Sequence, residues 1–239
     1  MTTETGFFDI HSHILPQIDD GSASVEESRQ LFDELVRQGV SVVAATPHFY
    51  ADKDNPVDFL QRRNHAVSVV QEQINPAIRI LPGAEVYYYT GISQTEVLPE
   101  FAIASTSILL IEMPFSDWTQ NMIREVLFIQ KYRQLQVVLA HIERYPIRKY
   151  KDYLEEMCQN GVLLQVNADS FTDKKTIRTV LKLLKMQKIH FIGSDCHNMQ
   201  SRMPKLQEAY SVIEKKLGIT YLRWLKNVSR TALKGGMPV

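Results

Sequence analysis

The sequence predicts an α/β fold in which a parallel sheet of about seven strands closes into a barrel. Seven short apolar runs alternate with longer amphipathic stretches, which is the pattern of strands buried on both faces and covered by helices. A residue able to bind a metal follows nearly every run. Residues just beyond the C-terminal ends of barrel strands converge on one face, whereas an open sheet spreads them along a line, so this placement favours closure. No Pro/Gly/Ser-rich linker and no fixed-period repeat interrupts the chain, so one domain over residues 1–239 is expected.

The first run, residues 7–10, leads into Asp9-Ile10-His11-Ser12-His13. In extended backbone, residues i and i+2 point to the same side, so both imidazoles can reach one ion. Asp19-Asp20-Gly21 follows. The glycine permits a tight turn that swings a carboxylate back toward the histidines, and the spacing leaves open whether Asp19 or Asp20 is the one. A helix over 25–38 is opened by the capping-box pattern Ser24-x-x-Glu27 and stopped by Gly39.

The second run, 40–45, ends in Thr46-Pro47-His48, with Phe49 and Tyr50 behind it. A charged loop at 52–58 forms part of a mouth, and a helix covers 57–74. The third run, 78–81, passes through Pro82-Gly83 to Glu85 and then Tyr87, Tyr88 and Tyr89. The fourth, 108–111, ends in Glu112, and a helix spans 119–134. The fifth, 137–140, ends in His141, with Arg144 three residues on. A helix over 150–160 stops at Gly161. The sixth run, 163–166, ends in Asn167, which either completes a pocket floor or caps the next turn. A helix covers 174–187. The seventh run, 190–192, leads to Asp195-Cys196-His197 and Arg202, and a last helix, 203–217, ends at Gly218.

Any one of these histidines alone is more often a hydrogen-bonded structural residue. Five of the seven histidines in the chain nevertheless fall at strand ends, His65 and His190 being the exceptions, and carboxylates fill the remaining ends. That joint pattern describes a metal site.

Composition narrows the function classes. Hydrophobic residues make up 44% and charged residues 23% of the 239, which excludes a disordered chain or a coiled coil. Lys+Arg and Asp+Glu are 27 each. Without a clustered basic tract, general affinity for nucleic-acid backbone is not expected. Two distant cysteines, Cys158 and Cys196, rule out a disulfide scaffold and fit a reducing compartment. The polar start, with no apolar segment after it, is not a signal peptide, and no apolar run approaches the ~20 residues that span a bilayer. A cytoplasmic protein without a transmembrane segment is expected.

The set Asp-Ile-His-Ser-His, Asp-Asp-Gly, Thr-Pro-His, Gly-Ala-Glu, Ile-Glu, Ala-His-Ile-Glu-Arg-Tyr and Ser-Asp-Cys-His, in this order between residues 7 and 202, resembles the polymerase-and-histidinol-phosphatase superfamily. Within it, the chain is most similar to the bacterial metal-dependent protein-tyrosine phosphatases encoded with capsule and exopolysaccharide genes. The resemblance implies a distorted (β/α)7 barrel holding three divalent ions, manganese before iron or zinc. It implies that His11, His13, Glu85 and Asp195 hold the first ion. Glu85 would bridge to a second held by Glu112 and His141, and Asp20, His48 and His197 would hold the third. It implies a phosphotyrosine protein as substrate, in particular a bacterial tyrosine kinase controlling polysaccharide synthesis, hydrolysed by attack of a metal-bound hydroxide.

Clustered dications suit that reaction because they acidify water and neutralise phosphoryl oxygens. A guanidinium matches two phosphate oxygens in a fork, so Arg144 and Arg202 are candidate clamps. Tyr50 and Tyr87–Tyr89 are candidates to stack on a phenyl ring. Cys196 and Arg202 also spell the Cys-x5-Arg spacing of cysteine-based tyrosine phosphatases. The intervening residues contain no glycine, and a loop whose backbone N–H groups cradle phosphate needs it, so Cys196 is expected to be a spacer. The rival functions are a small-molecule phosphomonoesterase of histidinol-phosphatase type and a metal-dependent nuclease.

Overall fold

The computed structural model describes residues 6–235. Its strands are β1 (Phe7–Asp9), β2 (Val40–Ala45), β3 (His48–Phe49), β4 (Arg79–Pro82), β5 (Glu85–Tyr87), β6 (Ile108–Glu112), β7 (Gln136–Leu139), β8 (Leu163–Asn167) and β9 (Phe191–Gly193). Its helices are α1 (Val25–Arg37), α2 (Pro56–Gln71), α3 (Gln120–Tyr132), α4 (Lys151–Gln159), α5 (Ile177–Lys185), α6 (Leu206–Leu217) and α7 (Ile219–Leu233).

All ladders are parallel, in two sheets ordered β1-β2-β4 and β3-β5-β6-β7-β8-β9. The second and third expected strands are found as β2 and β4, and each is continued after a break by a short strand that was not expected, β3 or β5. β2 gives way to β3 across Thr46-Pro47, where proline has no N–H for the ladder. β4 gives way to β5 across Gly83-Ala84. The breaks are bridged by Gly83 N–H donating to Ala45 O at 2.9 Å and Glu85 N–H donating to Pro47 O at 3.1 Å. With the halves joined, seven strands follow one another in chain order. Between the last and the first, Ser12 and Cys196 form a parallel bridge. Asp195 N–H donates to His11 O at 2.8 Å and His13 N–H to Cys196 O at 2.9 Å. The ring therefore closes just above β1 and β9, where the first and last candidate ligands stand.

Two layers of apolar residues follow from strand alternation. Phe8, Ile10, Val42, Ala44, Leu110 and Val138 share one buried cluster with Val228, Ala232 and Leu233 of α7. The intervening strand residues, such as Val43, Leu109 and Val137, join the larger cluster against the other helices. Helix α7 thus supplies apolar side chains to the cluster fed by the inner strand faces. Sequence reasoning stopped at residue 217 and missed it, because only a closed ring creates a floor to cover. The expected cap of α1 is present, Ser24 accepting from Glu27 N–H, and Asn55 and Thr119 cap α2 and α3 in the same way, accepting from Val57 N–H and Met122 N–H. Among the described residues, no helix is long and apolar enough to cross a membrane.

Candidate metal centre

The candidate ligands stand at or just beyond the C-terminal ends of β1, β6, β7 and β9, and at the first residues of the short strands β3 and β5. His11 and His13 follow β1, His48 opens β3, Glu85 opens β5 and Glu112 closes β6. His141 follows β7, and Asp195 and His197 follow β9. Glu85 lies at the middle. Its Oε2 is 3.1 Å from His11 Nε2, 3.2 Å from His13 Nε2 and 3.1 Å from His48 Nδ1, while Oε1 is 2.9 Å from His141 Nε2. Glu112 adds contacts of 3.3 Å to His141 and 3.7 Å to His48. Asp195 Oδ1 lies 3.4 Å from His13 and 3.6 Å from both His11 and His197. Asp20 closes the outer side, 3.4 Å from His197 Nε2 and 3.8 Å from His48 Nε2. Its side chain is 65% exposed while those of Glu85 and His197 are buried, so the centre opens to solvent past Asp20.

Three groups of donor atoms lie within 4.8 Å of one another: His13, Asp20, His48 and His197; His11, His13 and Asp195; and His48, Glu85 and Glu112. The structure brings together all nine expected ligands. It differs in detail by setting His48 between two groups, one ring nitrogen toward Asp20 and the other toward Glu85.

The donor set fits divalent cations. His11 Nε2 and His13 Nε2 stand 3.1 Å apart, and Glu85 Oε2, His48 Nδ1 and His197 Nε2 are buried without a hydrogen-bond partner. Orphaned lone pairs of this kind are costly in a fold unless a cation receives them. The charges already compensate one another strongly. Burial would push the His13 imidazole down, but Asp19, Asp195 and Glu85 override it and hold it well above its ordinary value. Burial would push Glu85 and Asp195 up, yet the surrounding imidazoles, and Arg144 for Asp195, hold both well below the usual carboxylate range. His141, against its burial, is raised to about 9 by Glu112 and Glu85.

Backbone strain is placed at the same point. His141 has φ 31° and Asp195 φ 50°, left-handed conformations that cost a non-glycine residue about 1–3 kcal/mol and concentrate at functional sites. The i, i+2 geometry expected for His11 and His13 therefore does not extend to Asp195 and His197, since the chain turns at Asp195. Gly21 is needed for close approach rather than for a special φ: a Cβ there would lie 2.1 Å from His13 O. Gly193 has the same role beneath His11, whose Cβ would be 2.5 Å away.

Arg144 Nη2 and Arg202 Nη2 both donate to Asp195 Oδ2, at 2.5 and 2.9 Å. Each side chain stays 34% exposed, so two guanidiniums flank one carboxylate oxygen and keep donors toward solvent.

A model of the family described as capsular polysaccharide synthesis, CpsB/CapC, matches residues 7–231. The chain belongs to the CpsB/CapC family. Among relatives of that family, the tyrosine-protein phosphatase CpsB of Streptococcus agalactiae serotype V is 30% identical over 224 residues, covering 88% of this chain and 90% of the relative. The tyrosine-protein phosphatase YwqE of Bacillus subtilis is 30% identical over 222 residues, covering 88% and 85%. A chain from the solved structures of YwqE from B. subtilis and CpsB from Streptococcus pneumoniae, described as unique metal-dependent tyrosine phosphatases, superposes with a TM-score of 0.84 at 27% identity, covering 97% of this chain and 99% of that one. The histidinol phosphate phosphatase of Lactococcus lactis, at 18% identity and TM-score 0.55 over 88% of this chain and 94% of that one, shares the fold.

In this CpsB/CapC chain the tandem aspartates divide their work. Asp19 Oδ2 receives His13 Nδ1 at 2.6 Å and the His48 backbone N–H at 2.8 Å, so it orients the His13 imidazole, pins the backbone that carries His48, and leaves Asp20 facing the centre. Such a carboxylate behind a ligating histidine sets its tautomer and basicity. Asn167 belongs to the same outer layer, donating to Asp195 Oδ2 at 2.6 Å. Gln165 was missed by sequence reasoning. Its Oε1 accepts from His141 N–H at 2.7 Å and lies 3.2 Å from His11 Nδ1, and its amide donates to Asn167 at 2.8 Å. Asp9 is not among the converging groups. It is fully buried and accepts from His11 N–H and Ser194 N–H instead.

Cys196 is fully buried in the apolar cluster, and burial, with Asp9 adding to it, pushes its thiol up to about 12. A thiol held neutral and away from solvent is no nucleophile. Cys196→Ser is expected to keep most of the turnover and lose about 1–2 kcal/mol of stability from the buried hydroxyl. Steady-state rates with a denaturant curve check this; a trapped phosphocysteine would overturn it.

Proposed function

We propose that this chain is a metal-dependent protein-tyrosine phosphatase whose nine convergent side chains hold divalent ions. The convergence of five imidazoles and four carboxylates at strand ends, with buried lone pairs aimed at one another, carries the proposal. His11, His13, Glu85 and Asp195 are assigned to one ion. Glu85, Glu112 and His141 are assigned to a second, and Asp20, His48 and His197 to a third. Four carboxylates among the donors suit manganese or ferrous iron better than zinc. Bound there, the ions supply Lewis acidity to the phosphoryl oxygens and acidify water near neutral pH.

The protein's own groups supply position. Arg144 and Arg202, paired on Asp195, are placed to take phosphate oxygens in charge-assisted hydrogen bonds. Tyr50, Tyr87 and Phe115 line a cavity of about 480 Å³ bordered by Glu112. The Tyr50 and Tyr87 rings are 5.5 Å apart, Tyr50 is 5.1 Å from His48, and Phe115 is 61% exposed. Aromatic walls beside the ligands suit the phenyl ring of phosphotyrosine. The exposure of Asp20 and Phe115 gives the shallow mouth that a protein side chain can enter. A cytoplasmic bacterial tyrosine kinase that acts in capsule or exopolysaccharide synthesis is the assigned substrate, on the strength of the family and of the phosphatases named in it.

Turnover of a phosphotyrosine peptide, histidinol phosphate and an oligonucleotide, each with and without manganese, tests the proposal. Manganese-dependent release of phosphate from the peptide is expected, with the other two slower. Preference for histidinol phosphate or the oligonucleotide would replace it.

Arg144→Ala and Arg202→Ala should each lower kcat/KM by about 10- to 100-fold, the worth of one charge-assisted contact at about 1.5–3 kcal/mol. Metal content, measured alongside, should stay normal. Unchanged kinetics with normal metal content would leave that arginine a surface residue.

A further inference from the structure

Beside the metal centre, the 3-10 turn Ile142–Arg144, helix α4 and helix α5 border a groove of about 680 Å³. Arg148, Lys151, Lys175, Arg178, Lys182 and Lys188 line it, around an apolar floor that includes Ile147, Leu154, Leu183 and Met186. Only two acidic residues line it, Glu143 and Glu155. Of the six cations, only Lys151 has an ion-pair partner among the described residues, Glu155 at 3.8 Å. The chain as a whole is neutral, so this is a local excess. Arg178 and Lys182 lie four residues apart on one face of α5, a spacing at which like charges repel and weaken the helix. A fold that keeps them there, facing an apolar floor with Met186 54% exposed, presents a surface complementary to an acidic, partly apolar ligand.

Glu143 stands where the groove borders the site. Its Oε1 accepts from Asn167 N–H at 3.0 Å, while its Oε2 is buried with no hydrogen-bond partner. The apolar floor beside the cations favours a polypeptide segment with apolar side chains over a phosphate backbone. Glu143 also shares the 3-10 turn with Arg144, so the groove and the metal centre meet at one turn.

We propose that this groove docks an acidic stretch of the phosphoprotein substrate, Asp/Glu-rich with interspersed apolar residues, and so selects which phosphotyrosines reach the centre. The ligand's identity as substrate rests on the phosphatase reading above. Docking outside the reacting atoms acts through encounter and affinity, and it weakens as salt screens it.

The test uses the full chain loaded with manganese and three probes. These are a phosphotyrosine peptide with a block of alternating Glu and Leu, the same peptide with Lys for Glu, and p-nitrophenyl phosphate. Arg178→Glu with Lys182→Glu should cut kcat/KM for the acidic peptide about tenfold, mainly through KM, and leave p-nitrophenyl phosphate unchanged. Arg178→Gln with Lys182→Gln should give a smaller loss in the same direction, which guards against a folding defect. Equal use of the acidic and basic peptides by the unaltered enzyme, or an unaltered preference in the charge-reversed one, would overturn the proposal. Fluorescence anisotropy of the unphosphorylated acidic peptide reads the groove alone. Loss of that binding in the charge-reversed variant supports docking even if no phosphate ester is hydrolysed, a result that would sink only the phosphatase reading. Stronger binding of an RNA or of anionic vesicles than of the acidic peptide would assign the groove elsewhere and overturn it too.

Discussion

Chelation is expected to abolish turnover, and manganese to restore it better than magnesium. Five of the nine converging donors are imidazoles, and magnesium prefers oxygen ligands and keeps its waters. Without ions, Glu85 and Asp195 stay ionised only because imidazoles and Arg144 surround them. That arrangement has no Lewis acid for the phosphoryl group and no source of acidified water, so the rate should fall by several orders of magnitude. The same ions should stabilise the fold, because a ligand that binds only the native state at about 1,000 times its Kd adds about 4 kcal/mol. Melting temperature therefore rises with manganese in the assay that shows recovered turnover. Imidazoles must shed protons to ligate, so reconstitution should weaken on acidification. Full activity in a protein stripped of metal, verified by elemental analysis, would remove the metal from the mechanism.

The second large effect is expected from His11→Ala with His13→Ala. Both imidazoles lie against Glu85 and Asp195, and the pair removes two donors from one of the three groups and one, His13, from a second. Turnover should drop by at least about 10³-fold, more than the 10–100-fold typical of losing a residue that only supports a ligand. The fold should survive. The apolar neighbours Ile10 and Ile14 remain, and the β1–β9 closure uses His11 and His13 through their backbones. What is lost is the partner of Asp19, which keeps His48 N–H. Circular dichroism close to the parent with no turnover and reduced metal content is the expected combination. A double variant that hydrolyses substrate at the parent rate would take this pair out of the site.

The legible part of the site is the part carried by residue type and strand order. His11, His13, His48, Glu85, Glu112, His141, Asp195 and His197 were marked by their place after apolar runs, and the closed ring brings all of them together. The supporting residues were not legible to the same degree. Gln165 sits inside β8 and is fully buried, so it reads locally as part of a strand. Its contacts to residues 11, 141 and 167 exist only across the ring. Asp19 and Asp20 are indistinguishable by spacing, and only the turn packed against His13 decides which carboxylate supports and which faces the centre.

The sequence by itself determined the alternation of strands and helices, the cap of α1 and the chemical nature of the donor set. Each of these depends on local propensity or on residues a few positions apart. Tertiary structure decided the rest. It added short strands after the second and third runs, so that His48 and Glu85 stand on pieces of their own, and it gave α7 its buried partners in the barrel. It turned Asp195 onto left-handed backbone beneath two arginines, and it gathered onto one apolar groove five cations that have no ion-pair partner among the described residues. Those features depend on contacts between residues tens to nearly two hundred positions apart, and such contacts exist only once a closed ring has fixed which strand lies beside which.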